Sequence, residues 1–441
     1  MTVEKTSVMG PYGAASRDIQ HQRDTVASHI NRANEALWHL NKAIHLHPEL
    51  CFEEVFAHAT LTAFLKSQGF QVQCHAYGLN TAFMAETGHG GRLVIICAEY
   101  DALPGIGHGC GHNLIATSSV AAFVGASKTL LELGIAGRVR ILGTPAEEGG
   151  GGKIKLINAA AFAEDVAAAI MCHPIPLEQI KDGWSGTAGF RTVASRRFKV
   201  EFHGKNAHAG QEPWNGVNAL DAAVGAYTTT SMLRQQVRPD ERIQAIIEHG
   251  GTASNIIPDY TRMSWGLRGP SIMHVDALAD RVKACIQSAA TATGCSVTHQ
   301  EEPPYMELRV NDALCNEYIT EMAALGENVL YMDDKPSSAG TDMGQYAPRA
   351  HSHQLKDQYR HFADWLIVGN VSHAVPSFHG MFGIPTPPGV PMHHREFTTA
   401  SATDAAHKAA IRAGMGLAML AIRVLSDTEL AARGKNDFET V

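Results

Sequence analysis

Five short segments of this chain hold residue types that could bind a metal or move a proton. Gly107-His108-Gly109-Cys110-Gly111-His112-Asn113 sets Cys110 two residues before His112. Thiolate and imidazole suit zinc or another borderline divalent ion. A Cys-x-His pair in a glycine-rich turn is a weak signal alone, because incidental polar residues also occupy such turns. The second segment is Thr144-Pro145-Ala146-Glu147-Glu148, followed by a glycine run and Lys153. Adjacent carboxylates point different ways, so one can ligate a metal while the other takes a proton from water bound to it. The plainer explanation is a solvated loop whose acids suit the start of a helix. The third segment, Met171-Cys172-His173-Pro174, closes an apolar run, where a lone histidine is more often structural. The fourth, Pro391-Met392-His393-His394-Arg395-Glu396-Phe397, offers His393 or His394. The fifth is Phe202 to Gly210, carrying His208, joined by Gly250 to Pro258, carrying Asn255.

The elements around these segments must position them. Leu93 to Ala98 is apolar throughout, which fits a strand buried on both faces. Before it, the pattern predicts a helix over 17–45 and another near 53–69. After it come a helix over 114–133 stopped by Gly134, a strand over 139–143, a helix over 153–163 and a strand over 166–172. Strands alternating with helices indicate an α/β domain with a largely parallel sheet. In such sheets, function collects at the carboxyl ends of the strands. Near residue 190 the pattern changes to β-α-β-β-α-β, the ferredoxin-like order, so a second domain is placed at 191–304. The catalytic domain is then discontinuous, 1–190 and 305–441, with helices near 311–325 and 400–424. The polar tail after Thr428 reads as frayed.

Composition bounds the function. A chain of 441 residues suits two or three domains, and 45% hydrophobic with 18% charged residues excludes global disorder. A net charge of −8 argues against a general nucleic-acid binder. No uninterrupted apolar stretch approaches the roughly 18–20 residues of a membrane helix. Residues 1–14 lack the pattern of a signal peptide, so a cytoplasmic protein without membrane association is expected. The eight cysteines are scattered, so no disulfide framework is expected.

The order of the five segments resembles the family of metal-dependent aminoacylases, carboxypeptidase G and aminobenzoyl-glutamate hydrolase, the M20 peptidases. Within it the resemblance is to the amidohydrolase branch and its Xaa-Arg dipeptidase type. It runs from His47-Pro48-Glu49 to the last helix. It implies a zinc-peptidase-like α/β catalytic domain interrupted by a ferredoxin-like α+β lid that often dimerises. The implied metal ligands are Cys110, His112, Glu148, His173 and His393, with His394 the alternative to the last. Cys110 sits where many relatives carry a bridging Asp. Asp101 matches a carboxylate that orients a ligand, and Glu147 matches the general base. His208 matches the histidine that polarises the scissile carbonyl, often across a dimer interface. Asn255 and Arg268 match substrate contacts, Arg268 with a carboxylate. The implied cofactor is one or two divalent ions per subunit, zinc first, then manganese or cobalt. The implied partners are a small dipeptide or N-acyl amino acid and a second copy of the chain. The implied reaction is metal-dependent hydrolysis of the amide bond. An amide-forming or cyclising enzyme on the same fold, or a catalytically silent binding protein, are the alternatives. One departure stands out. Residues 345–369 separate Gly340–Gly344 from Asn370–Pro376, which run almost together in relatives. A peripheral surface excursion or a translated intron would account for them.

Overall fold

The computed structural model describes residues 11–302, 304–332 and 371–440. The segment 345–369 and Asp342 therefore lie outside the described residues. The chain divides into two units. Among the described residues, the first holds everything up to Phe190 and from Arg309 onward, and the second holds Arg191–Leu308.

The first unit opens with helices α1 (Pro11–Leu46) and α2 (Val55–Ser67). Strands β1 (Val72–Cys74), β2 (Phe83–His89) and β3 (Leu93–Ala98) follow, then α3 (His112–Leu133) and β4 (Gly137–Gly143). Next come α4 (Gly152–Asn158), β5 (Val166–Pro176) and β6 (Gly186–Gly189). After the second unit the chain returns as α7 (Asp312–Ala324), β11 (Val329–Met332) and β12 (Ser377–Ile384). Its closing helices are Arg395–Ser401, Asp404–Ser426 and Thr428–Thr440.

The eight strands order as β1-β2-β4-β3-β5-β12-β6-β11. Pairing is parallel between β3 and β4, β3 and β5, β5 and β12, and β6 and β11. It is antiparallel between β1 and β2, β2 and β4, and β6 and β12. The sheet is thus mixed, with four of its seven described pairings parallel, including those at its centre. Parallel neighbours need a long crossover, whereas β1 and β2 are joined by a short connection that only an antiparallel pair allows.

Every residue of β3 is buried, as a run apolar on both faces requires. The helix α3 is also buried along most of its length, packed against α1 and the helix Asp404–Ser426. By length and hydropathy, α3 and Asp404–Ser426 could each cross a membrane. Their apolar windows, however, are 89% and 78% buried inside the protein, which marks them as core helices.

Three expectations need correction. The helix expected over 153–163 ends at Asn158, where Ala160 takes a left-handed φ of 64° and turns the chain. Strands β6, β11 and β12 were not expected at all. The tail after Thr428 is a helix rather than frayed chain. It buries Leu430, Ala431 and Gly434, and its backbone is tied to the start of α7. Asn311 Nδ2 donates to Gly434 O at 2.7 Å, and Ala313 N donates to Asp437 Oδ2 at 2.8 Å.

The second unit contains β7 (Ala194–His203), α5 (Ala219–Leu233), β8 (Arg242–His249), β9 (Tyr260–Gly269), α6 (Ile272–Thr293) and β10 (Ser296–Glu301). Its antiparallel strands order as β10-β7-β9-β8. On β9, Thr261, Met263, Trp265 and Leu267 are buried and alternate with half-buried Arg262, Ser264, Gly266 and Arg268. The buried set packs in one core with residues of α5 and α6, so Arg268 stands on the opposite face of the sheet. The chain beyond β10 stays with this unit. Tyr305 pairs with Ser195, and Leu308 N donates to Thr192 Oγ1.

Because the last helix is packed rather than frayed, Leu430→Ala should cost stability. The loss expected for a fully buried leucine is about 2–5 kcal/mol. Thermal unfolding of this variant beside Glu429→Ala, an exposed neighbour, checks it. Equal midpoints for the two would show a tail that does not pack.

Candidate active site

Two loops that leave the carboxyl ends of β3 and β4 meet at the end of neighbouring β5, which carries His173. The first carries Glu99, Asp101, Cys110 and His112. Buried Asp101 receives the Nδ1–H of His112 on Oδ1 at 2.9 Å and the backbone N–H of Glu148 on Oδ2 at 3.0 Å. One carboxylate therefore fixes the imidazole of the first loop and the backbone of the second. Burial alone would raise the pKa of Asp101. The charge and hydrogen bond of His112, with backbone donors from the second loop, instead hold it down to about 2. His112 is raised in turn: burial opposes its charge, but Asp101 and Cys110 together outweigh burial.

His112 is the first residue of α3. Gly111 before it takes φ +80°, and a Cβ there would lie 2.6 Å from Pro174 Cγ. Glycine thus lets the loop turn sharply against the β5 end. The Cys110 Sγ lies 3.3 Å from His173 Nε2. His173 gives its Nδ1–H to Pro174 O at 2.7 Å, so Nε2 presents a lone pair to Cys110. Burial, with repulsion from His112, brings the pKa of His173 down to about 4, leaving the neutral form that ligates metals.

The second loop is held from below. Ala146 takes φ +59°, and its N–H donates to Glu54 Oε1 at 2.9 Å, which turns the chain into Glu147 and Glu148. The closing Gly152 is required, since a Cβ there would sit 1.6 Å from Pro145 O. Glu147 Oε2 and Glu148 Oε1 lie 3.9 and 3.8 Å from His112 Nε2.

The fourth segment decides between its two histidines. The Nδ1 of His394 accepts from Glu396 N and caps the helix Arg395–Ser401. His393 is bound elsewhere. Its N–H donates to Gly109 O at 2.8 Å, and its Nε2 lies 3.6 Å from Glu148 Oε1. It has a left-handed φ of 62°, and its side chain is 53% exposed.

These residues fit a metal centre. His112 Nε2 and Glu148 Oε1 are buried and have no hydrogen-bond partner among the described residues. A pair of orphaned donors at such depth is costly unless a cation completes it. The donor atoms of Cys110, His112 and His173 lie within 4.8 Å of one another, and so do those of Cys110, Glu148 and His393.

Two neighbours draw no role from the sequence alone. Glu99 is buried at the end of β3, and its Oε2 lies 3.6 Å from His112 Nε2. Lys153, fully buried at the second position of α4, meets Glu99 Oε1. A cation near the positive end of a helix is unfavourable without a partner, and that was the readable signal. Cys51 was also missed. Its thiol donates to Asp101 Oδ2 at 3.5 Å, and burial together with Asp101 pushes its pKa up to about 12.

The second unit brings His208 and Asn255 together but not Arg268. Ala209 N donates to Asn255 O at 3.0 Å, and His208 bridges to Ile256. His208 Nδ1 accepts from Gly210 N, so the neutral ring carries its proton on exposed Nε2. Both loops sit where β7 ends and β9 begins, since His203 pairs with Tyr260. Arg268 pairs with Ser195 at the other end of β9, roughly 26 Å away at about 3.3 Å per residue.

A mixed sheet with carboxylates, imidazoles and a thiol converging at its parallel centre defines a hydrolase of the metallopeptidase class. Residues 95–377 match the peptidase family M20/M25/M40, and the chain belongs to that family as an enzyme that hydrolyses amide bonds. It is 36% identical to the Xaa-Arg dipeptidase of Mus musculus, over 99% of this chain and 96% of that protein. It is 28% identical to one of the subunits of the p-aminobenzoyl-glutamate hydrolase of Escherichia coli, over 90% of each. Its fold is similar to that of an aminobenzoyl-glutamate utilization protein from Klebsiella pneumoniae, with TM-score 0.65, 16% identity and coverage of 91% of this chain and 99% of that one. It is also similar to a dinuclear metal binding peptidase of the M20 family from Bacillus subtilis, with TM-score 0.60, 20% identity and coverage of 90% and 99%.

The bonds of the two histidines make a test. His393→Ala should lower metal content measured on purified protein. His394→Ala should keep its metal and lose only an N-cap, about 1 kcal/mol of stability. Equal metal content in the two variants would count against His393.

Proposed function

We propose that this protein hydrolyses the amide bond of a small dipeptide or N-acyl amino acid at a centre of two divalent ions. The observation that carries the reading is the sharing of Cys110 by two sets of donor atoms, one with His112 and His173 and one with Glu148 and His393. Charge supports a cation centre. Among the described residues, Glu99, Asp101, Glu147, Glu148 and Cys110, a thiolate once it ligates, gather here with Lys153 beside Glu99, an excess of negative charge that divalent cations would balance. A thiolate among imidazoles favours zinc. The dipeptidase and hydrolase names of the curated relatives support the substrate class. A reducing, cytoplasmic setting would keep Cys110 available as a ligand.

Bound there, the ions supply an acidified water and a polarised carbonyl. The chain's own groups do the rest. Asp101 holds the Nδ1–H of His112, so Nε2 faces the centre. Glu147, largely buried beside His112 Nε2, takes the proton of the attacking water and passes it to the leaving amine. His208 donates its Nε2–H to the oxyanion that develops on the scissile carbonyl. Asn255 contacts the same end of the substrate, and Arg268 binds a carboxylate.

The geometry of the second unit supports a homodimer. A dipeptide spans roughly 7 Å, far less than the length of β9 between Arg268 and the loops of His208 and Asn255. One lid cannot offer both ends to one substrate, but two copies can. The edge strand β8 exposes Ile246 and Ile247, and α5 exposes Val224, Tyr227 and Met232. An open edge strand and an apolar helix face are the kinds of surface a second copy covers.

Two measurements check this reading. Glu147→Gln should keep metal and fold while turnover of a dipeptide falls by about 10²–10⁴-fold, the usual worth of a general base. Near-normal turnover in a metal-replete variant would overturn the role. Mixing His208→Ala with Glu147→Gln subunits should restore roughly a quarter of wild-type activity by statistical pairing in a two-fold dimer. Confirmed mixed dimers without activity would place His208 in its own chain's site.

A further inference from the structure

Glu99 stands where a metal ligand could stand, yet it is engaged on the other side. Its donor atom, with those of His112 and Glu147, forms a third set within 4.8 Å. Its Oε2 is buried, without a hydrogen-bond partner among the described residues, and lies 3.6 Å from His112 Nε2. The other oxygen, Oε1, meets the ammonium of Lys153. Both residues are buried, and the pair lies between the end of β3 and the start of α4. The glycines that precede Lys153 let α4 begin this close, because Gly152 accepts the Pro145 carbonyl where a Cβ would collide.

A buried carboxylate that already shares its charge with an ammonium gains less by joining a divalent ion than an unpaired one does. Glu99 and Glu148 approach His112 Nε2 at similar distances, 3.6 and 3.8 Å. The loop distinguishes them: Glu148 has no cation bonded to it among the described residues except the site histidines, whereas Glu99 has Lys153. We propose that Lys153 is a positioning residue for the metal centre, holding Glu99 as a neutralised outer neighbour so that it does not join the ion at His112. The centre thereby keeps an open position for water and substrate. This rests on the reading that Cys110 and His112 share an ion.

The test uses apo full-length protein titrated with Co(II) and read by visible absorption, which reports coordination number, and by the thiolate-to-cobalt charge-transfer band, which reports Cys110. Lys153→Met frees Glu99. The expected result is weaker visible bands, as a ligand is added, and Co(II) binding at least about tenfold tighter, on the scale by which outer neighbours tune metal affinity. Glu99→Gln with Lys153→Met should return the wild-type spectrum, since no free carboxylate is then left. Lys153→Arg keeps the charge and should also match wild type. If Lys153→Met does not fold, Lys153→Gln serves in its place, because its amide can still donate to Glu99 Oε1 while the charge is gone. An unchanged spectrum with unchanged or weaker binding in the charge-removing variant would overturn the proposal, since a purely structural lysine loosens the site without adding a ligand. A wild-type protein lacking the charge-transfer band would overturn the Cys110 reading itself, and this proposal with it, and so is told apart from the first failure.

Discussion

The buried carboxylate of Asp101 is the contact on which the centre depends. It is the meeting point of two loops that leave different strands, with Oδ1 on the first and Oδ2 on the second, where Cys51 also donates. A charge at that depth survives only with several donors, and those donors are a ligand candidate's ring and the backbone that presents Glu147 and Glu148. Precision in the centre is therefore inherited from the sheet. β3 and β4 are parallel neighbours, so their carboxyl ends open on the same side at a spacing set by backbone hydrogen bonds. The loops add only the last turn, through glycines and through Ala146 in its left-handed conformation.

What could be read from the chain follows the strength of local signals. Leu93 to Ala98 and the helix ended by Gly134 were legible because apolar runs and a glycine stop are local. The strand Gly186–Gly189 was not, because Gly-Thr-Ala-Gly carries no strand preference and owes its state to its neighbours β12 and β11. The last helix misled because its polarity suggested fraying, while its few apolar residues and its bonds to α7 depend on a partner distant in sequence. In the site, the family resemblance implied Cys110, His112, Glu148, His173 and His393, and the fold brings their donor atoms together in two sets that share Cys110. The choice between His393 and His394 turned on a helix cap and a bond to Gly109, and the Glu99–Lys153 pair on a burial that no spacing announces.

The second unit follows a different logic. Its sheet is a ruler more than a scaffold. His208 and Asn255 are fixed together at one end by loop pairing, and Arg268 is fixed at the other by strand register. Register in an antiparallel sheet with one buried face is hard to slip, because a shift of one residue would turn Trp265 and Leu267 outward. The distance between the two ends is thus as rigid as any in the molecule.

The exposure of His393 has a consequence for how the centre would be filled and emptied. Cys110 and His112 are buried, whereas the side chain of His393 is more than half open to solvent and its backbone takes a left-handed conformation. An ion held by Cys110, His112 and His173 would be gripped by donors that are buried or half-buried. One held through His393 would face water directly. The two positions would then differ in lability rather than in chemistry: a slow, resident ion and a fast, exchangeable one, with chelators and metal scarcity stripping the second long before the first.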